Sequence, residues 1–191
     1  MNLSLMFIHS AGPQGENQGS GKLTAYLQKE LSREYHLIHP NMQTPEDPKY
    51  DEWKEQIEKE LDQLSGKVIL VGHSLGGSVL LKYLSEESFK VQVLGLFIVA
   101  APFWGIDEDW QRSDFFLRED FEQPLKEIPY LFLYHSIDEK IVPFSHHTEY
   151  AEKLPHGKRR VISGEEHLFE NGLPELLDDI KNLLTKEKRS F

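Results

Sequence analysis

The sequence contains no cysteine in 191 residues, so no disulfide framework can hold it together, and a reducing compartment suits it. Basic residues are also in the minority, 21 against 32 acidic, which gives a formal net charge of −11. Binding to nucleic acid is driven by Lys and Arg neutralising phosphates, so this balance argues against such a partner. Two short basic clusters, Lys158-Arg159-Arg160 and residues 186–189, read as solvated surface. No apolar run approaches the roughly 20 residues that span a bilayer. The first residues lack the basic start of a signal peptide and run straight into His9. A cytoplasmic protein with no membrane partner is expected. No repeat and no low-complexity stretch is present, which excludes solenoids and linker-joined tandem domains.

A hydrophobic fraction of 39% is enough for one proper core, and a single domain over residues 1–191 is expected. Apolar runs at 3–9, 35–39, 67–71, 93–99, 130–134 and 159–162 read as strands. Between them, helical spacing recurs in Leu23, Leu27 and Leu31, in Trp53, Ile57, Leu61 and Leu64, over 78–84 and 143–154, and in a final stripe from Leu173 to Leu184. Residues 103–123 are irregular and acidic. Six apolar strands alternating with helices predict an α/β fold, a mainly parallel sheet covered on both faces. Such sheets bind ligands beyond the carboxyl ends of their strands, so the residues just after each strand carry the functional weight.

After the strand at 67–71 comes Gly72-His73-Ser74-Leu75-Gly76-Gly77, followed at once by a helix. Gly-x-Ser-x-Gly in that setting is a nucleophile elbow, whose glycines let backbone segments approach and whose serine projects at a helix start. A serine hydroxyl needs a positioned base. Of nine histidines, His167 follows the last strand through a loop at the ligand-binding edge. His9, His36, His39 and His135 sit in or at the ends of strands, where packing or capping is expected, and His146, His147 and His156 fall on or after a surface helix. His73 is expected to point away from Ser74. The carboxylate that fixes the imidazole tautomer is expected at Asp138, after the strand at 130–134, with Asp107 as its rival.

An oxyanion hole needs two amide donors, expected from Leu75, beside the nucleophile, and from Ala11 in the loop after the first strand, with Ser10 as the alternative. A phosphate-binding reading of residues 12–21 is weaker, because the Lys-Ser/Thr ending of a P-loop is missing. A metal site at His146-His147 is poor, since adjacent helical positions do not face one point.

On the elbow, the Asp138 loop and Glu165-Glu166-His167, the sequence resembles the α/β-hydrolase superfamily. Within it, the chain is similar to the small, nearly cap-free serine hydrolases related to retinoblastoma-binding protein nine. The resemblance implies a Ser74, Asp138, His167 triad and a sheet without the first two antiparallel strands of larger relatives. The common His-Gly before the oxyanion loop is His9-Ser10 here, and the acid loop reads Ser-Ile-Asp-Glu.

The expected activity is hydrolysis of a small carboxylic ester or thioester through an acyl-enzyme on Ser74, with no metal or organic cofactor. The alternative is a protein-interaction module on a catalytically weak hydrolase fold. Ser10, Phe103 and Trp104 are expected at the pocket for the acyl substrate. The stretch 103–123 carries seven acids against Arg112 and Arg118, which predicts a preference for neutral over anionic acyl groups, and its small size predicts short to medium acyl chains.

Overall fold

Along the central strands, successive side chains enter opposite cores. Met6 and Ile8, Val68 and Leu70, and Leu131 and Leu133 pack on one face, while Leu5 and Phe7, Ile69 and Val71, and Phe132 and Tyr134 pack on the other. That two-sided burial is the physical meaning of an uninterrupted apolar strand. The computed structural model describes residues 3–31, 35 and 37–189. Its strands are β1 (Leu3–Ile8), β2 (Leu37–Ile38), β3 (Lys67–His73), β4 (Gln92–Val99), β5 (Tyr130–Ser136) and β6 (Lys158–Ile162). They form one sheet in the order β2-β1-β3-β4-β5-β6, and every pairing is parallel. The strand expected at 35–39 is the two-residue β2, and its position 36 lies outside the described residues.

The helices are α1 (Gly21–Glu30), α2 (Tyr50–Asp62), α3 (Leu75–Glu86), α4 (Glu122–Leu125), α5 (Phe144–Lys153) and α6 (Pro174–Arg189). Helices α2, α3 and α5 cover one face, where Trp53, Ile57, Val79, Leu80 and Tyr150 join the core. On the other face, α1 and α6 bring Leu23, Leu27, Leu176, Ile180 and Leu184. No helix among the described residues is long and apolar enough to cross a membrane.

Two expectations about surface residues need correction. Helix α5 buries His146 and His147 (0% and 2% exposed). Arg160, read as solvated, makes a two-pronged ion pair with Asp179 of α6, each hydrogen bond 2.8 Å long. Its guanidinium also lies 5.5 Å from the Phe132 ring centre. Asp179 in turn accepts from the buried Tyr134 hydroxyl at 2.8 Å, so α6 is clamped over the neighbouring strands β5 and β6.

The chain leaves β1 toward β2 on one side and returns through β3 on the other. The sheet order therefore reverses between β1 and β3. A crevice opens at such a reversal, beyond the carboxyl ends of the two strands. The loop at Ser10 and Ala11 and the turn at Ser74 lie on its two sides.

Candidate active site

Helix α3 begins directly after Ser74, whose backbone is held at φ 53°, ψ −122°. Its amide donates to the Val99 carbonyl at 2.8 Å, which ties the turn to β4. A methyl group at Gly72 would lie 2.6 Å from the Gly77 Cα, and one at Gly76 would run into the Ile8 and His9 carbonyls. The elbow can form only where both positions lack a side chain.

Ser74 Oγ lies 2.9 Å from His167 Nε2, and His167 Nδ1 lies 2.9 Å from Glu139 Oε2. A carboxylate only accepts, so Nδ1 carries the proton and the Nε2 lone pair faces the serine hydroxyl. That is the tautomer a general base needs. The acid beside His167 is thus Glu139 and not the expected Asp138. Asp138 is exposed, and its Oδ2 accepts from the Gly164 amide at 2.6 Å, clasping the loop after β5 to the loop after β6. The rival Asp107 is elsewhere: its Oδ1 accepts from the Asp109 and Trp110 amides at 3.1 and 3.2 Å, and its Oδ2 lies 3.4 Å from His146 Nε2.

Glu139 has a fully buried side chain. Its carboxylate accepts from the Val142 and Ile141 amides at 2.8 and 3.1 Å, and from His135 Nε2 at 3.0 Å, besides His167. Burial alone opposes the charged form, but the hydrogen bonds from His135 and His167 outweigh it and hold Glu139 down at about 2. A sequence signal for this residue exists. A glutamate two and three positions before free amides can fold back onto them, and Ile141 and Val142 supply such amides ahead of Pro143.

His73 does point away from Ser74, as expected, but it braces the site. Its Nε2 lies 2.8 Å from the His167 carbonyl and its Nδ1 2.8 Å from Ser20 Oγ, while Ser20 Oγ accepts from the Ser10 amide at 2.9 Å. Burial, helped by the neighbouring His167, pushes His73 down to about 3, so the bridge is uncharged. The loops after β1, β3 and β6 are joined through it.

The two candidate amides of the first loop differ in their partners. The Ser10 amide is taken by Ser20, whereas Ala11 and Leu75 have no acceptor for their amides among the described residues. Both border a cavity of about 450 Å³ over Ser74, with Ser10, Trp104, Trp110, Phe115 and Leu168 among its walls. Ser10 and Trp104 both line this cavity. Phe103 is not at the cavity: its ring packs 4.8 Å from Tyr150 and 6.1 Å from Phe121, and its amide donates to His146 Nδ1 at 2.9 Å. None of the seven acids of 103–123 lines the cavity. Arg112 does, paired with Asp114 at 3.0 Å and donating to the Pro48 carbonyl. The aromatic residues of 103–123 as a group are candidates for an acyl pocket from sequence, but the stretch has no periodicity that assigns side chains to a face, so nothing there singles out Trp110 and Phe115.

The fold and the elbow at its crevice define an α/β-hydrolase. The chain belongs to the serine hydrolase family, whose sequence profile matches residues 16–170. It is similar to YdeN of Bacillus subtilis (strain 168), with 24% identity over 157 residues that cover 78% of this chain and 80% of that one. The crystal structure of the ydeN gene product superposes with a TM-score of 0.78 at 20% identity, over 97% of this chain and 100% of that chain. Est1E from Butyrivibrio proteoclasticus matches with a TM-score of 0.71 at 13% identity, over 98% and 89% of the two chains. A pyrethroid hydrolase from Sphingobium faniae JZ-2 matches at 0.64 and 16% identity, over 94% and 96%. The protein is accordingly a hydrolase.

Proposed function

We propose that the protein hydrolyses small carboxylic esters or thioesters through an acyl-enzyme on Ser74, with His167 as base and Glu139 as the acid of the triad. The observation that carries this reading is the relay of two 2.9 Å contacts from Ser74 through His167 to Glu139, opening on an apolar cavity. Ser74 Oγ attacks the carbonyl carbon while His167 Nε2 takes its proton, and Glu139 stabilises the imidazolium that forms. The amides of Leu75 and Ala11 receive the oxyanion. As the tetrahedral intermediate collapses, His167 returns the proton to the departing alkoxide or thiolate. Water, deprotonated by the same imidazole, then releases the acid and restores Ser74. Apart from substrate and water, every group in these steps belongs to the chain itself. We place the protein among the small serine hydrolases related to retinoblastoma-binding protein nine, on its elbow and on the brevity of the excursion over 103–123. A purely protein-binding role is disfavoured by a relay with every member at hydrogen-bond distance.

A serine-reactive fluorophosphonate is expected to label the native protein at Ser74 alone, read by mass spectrometry of the modified peptide. Labelling of Ser74→Ala, or none of the native protein, would remove the basis of the assignment.

The cavity of about 450 Å³ lies toward the small end of ligand pockets, which span about 300–1,000 Å³. Butyrate and octanoate esters of p-nitrophenol are therefore expected to exceed the palmitate ester in kcat/KM by at least about tenfold, as several methylenes would lie outside the aromatic walls. Equal kcat/KM across that series would show that the cavity does not receive the acyl chain. Discrimination against a hemisuccinate ester should be modest and fade with salt. The acids of 103–123 do not line the cavity, Arg112 at its wall is paired with one of them, and exposed charges are screened over about 8 Å at physiological ionic strength.

A further inference from the structure

We propose that His135 is a positioning residue for the reaction, holding the Glu139 carboxylate in register with His167. This inference rests on the Ser74, His167, Glu139 reading and adds a member behind it.

His135 stands on β5, one residue before the strand ends, and is buried. Its Nε2 is 3.0 Å from Glu139 Oε1 and 2.8 Å from the Val142 carbonyl. Both partners can only accept, so Nε2 carries the proton and divides it between them. Phe144 meets the ring edge-on at 5.8 Å and His147 lies 5.7 Å away, both on α5. The groups that face it are thus Glu139 from the loop and His146 and His147 from α5, with no acid among the latter.

The geometry separates the four donors to Glu139 by what they stand on. The Ile141 and Val142 amides belong to the same loop as Glu139 and move with it. His167 is the group to be positioned. Only His135 is fixed to the sheet, and it reaches the loop twice, at the Glu139 carboxylate and at the Val142 carbonyl. A glutamate needs such an anchor more than an aspartate does, because its additional side-chain torsion lets the carboxylate swing. With Oε1 held by His135, Oε2 is left facing His167 Nδ1 at 2.9 Å.

The two amide side chains distinguish positioning from packing. Glutamine places its amide nitrogen where imidazole Nε2 sits, whereas asparagine reaches only as far as Nδ1. His135→Asn and His135→Leu are expected to lower kcat for p-nitrophenyl butyrate by about 10- to 100-fold, the effect of losing a hydrogen bond to a charged group. KM should change little, and His135→Gln should recover most of kcat. Rates are to be normalised to the fraction of protein labelled by fluorophosphonate, so that misfolded enzyme does not count. A normalised kcat for His135→Asn equal to wild type, or a fall in His135→Gln as large as in His135→Asn, would overturn the proposal. If Glu139→Gln also remains active, the relay itself fails; if Glu139→Gln is inactive and His135→Asn is not, only His135 does. In the unaltered protein, long-range nitrogen–proton NMR is expected to show His135 protonated on Nε2. Protonation on Nδ1 alone would overturn the assignment without recourse to any variant.

Discussion

Ser74→Ala is expected to lower kcat by about six orders of magnitude, the loss seen when the nucleophile of a serine triad is removed, and to leave only what the oxyanion amides and binding supply. Steady-state hydrolysis of p-nitrophenyl butyrate measures it, and a loss of less than about tenfold would rule out an acyl-enzyme on this residue. The same position carries a conformational cost. At φ 53° and ψ −122° a residue with a Cβ is strained, typically by about 1–3 kcal/mol. Alanine keeps that strain while glycine relieves it, against about 0.5–1 kcal/mol of extra chain entropy for glycine. Thermal melts should accordingly place Ser74→Gly at or a few degrees above Ser74→Ala, though both are inactive.

Glu139→Gln is expected to lower kcat by about ten-thousandfold, because a neutral amide neither fixes the imidazole tautomer nor stabilises the imidazolium. Asp138→Asn should stay within about tenfold of wild type, since its Oδ2 serves only the Gly164 amide. The opposite ranking would return the acid's role to Asp138. Stability should change with pH as well. Glu139 is held at about 2 against an ordinary 4.5, so its charge stabilises the fold above pH 4.5, and that contribution is lost as pH falls toward 2. The melting temperature of Glu139→Gln should therefore vary less than that of wild type between pH 4.5 and 2.

The acid separates what the sequence carries from what it does not. The β3 strand, the elbow and α3 are legible because each depends on neighbours in sequence: an apolar run, two glycines that admit no side chain, and a helix that starts at once. His167 is legible from chain order at the sheet edge. Asp138 and Glu139, however, are adjacent carboxylates after the same strand, and the choice between them depends on the fold-back of a loop onto its own amides and on His135 beneath it. Nothing local in sequence separates Ala11 from Ser10, because the partner of the Ser10 amide is Ser20, ten residues further on. The cavity wall was least legible. Phe103 and Trp104 are neighbours in sequence, yet one ring packs on Tyr150 and the other borders the cavity.

The clamp of β6 onto α6 bears on how copies of this protein meet one another. Strand β6 is the outer strand on its side of the sheet, and its far edge offers unpaired main-chain groups to any passing strand. Lys158, Arg159 and Arg160 occupy that edge, and Arg160 is fixed there by Asp179. A second β6 approaching edge to edge would bring like charges into opposition before any backbone hydrogen bond formed. At the opposite side, β2 offers a template of two residues. Growth of the sheet from molecule to molecule is thus discouraged at both ends. Concentrated solutions are expected to resist strand-mediated self-association, although Val161 stands 56% exposed on the same strand.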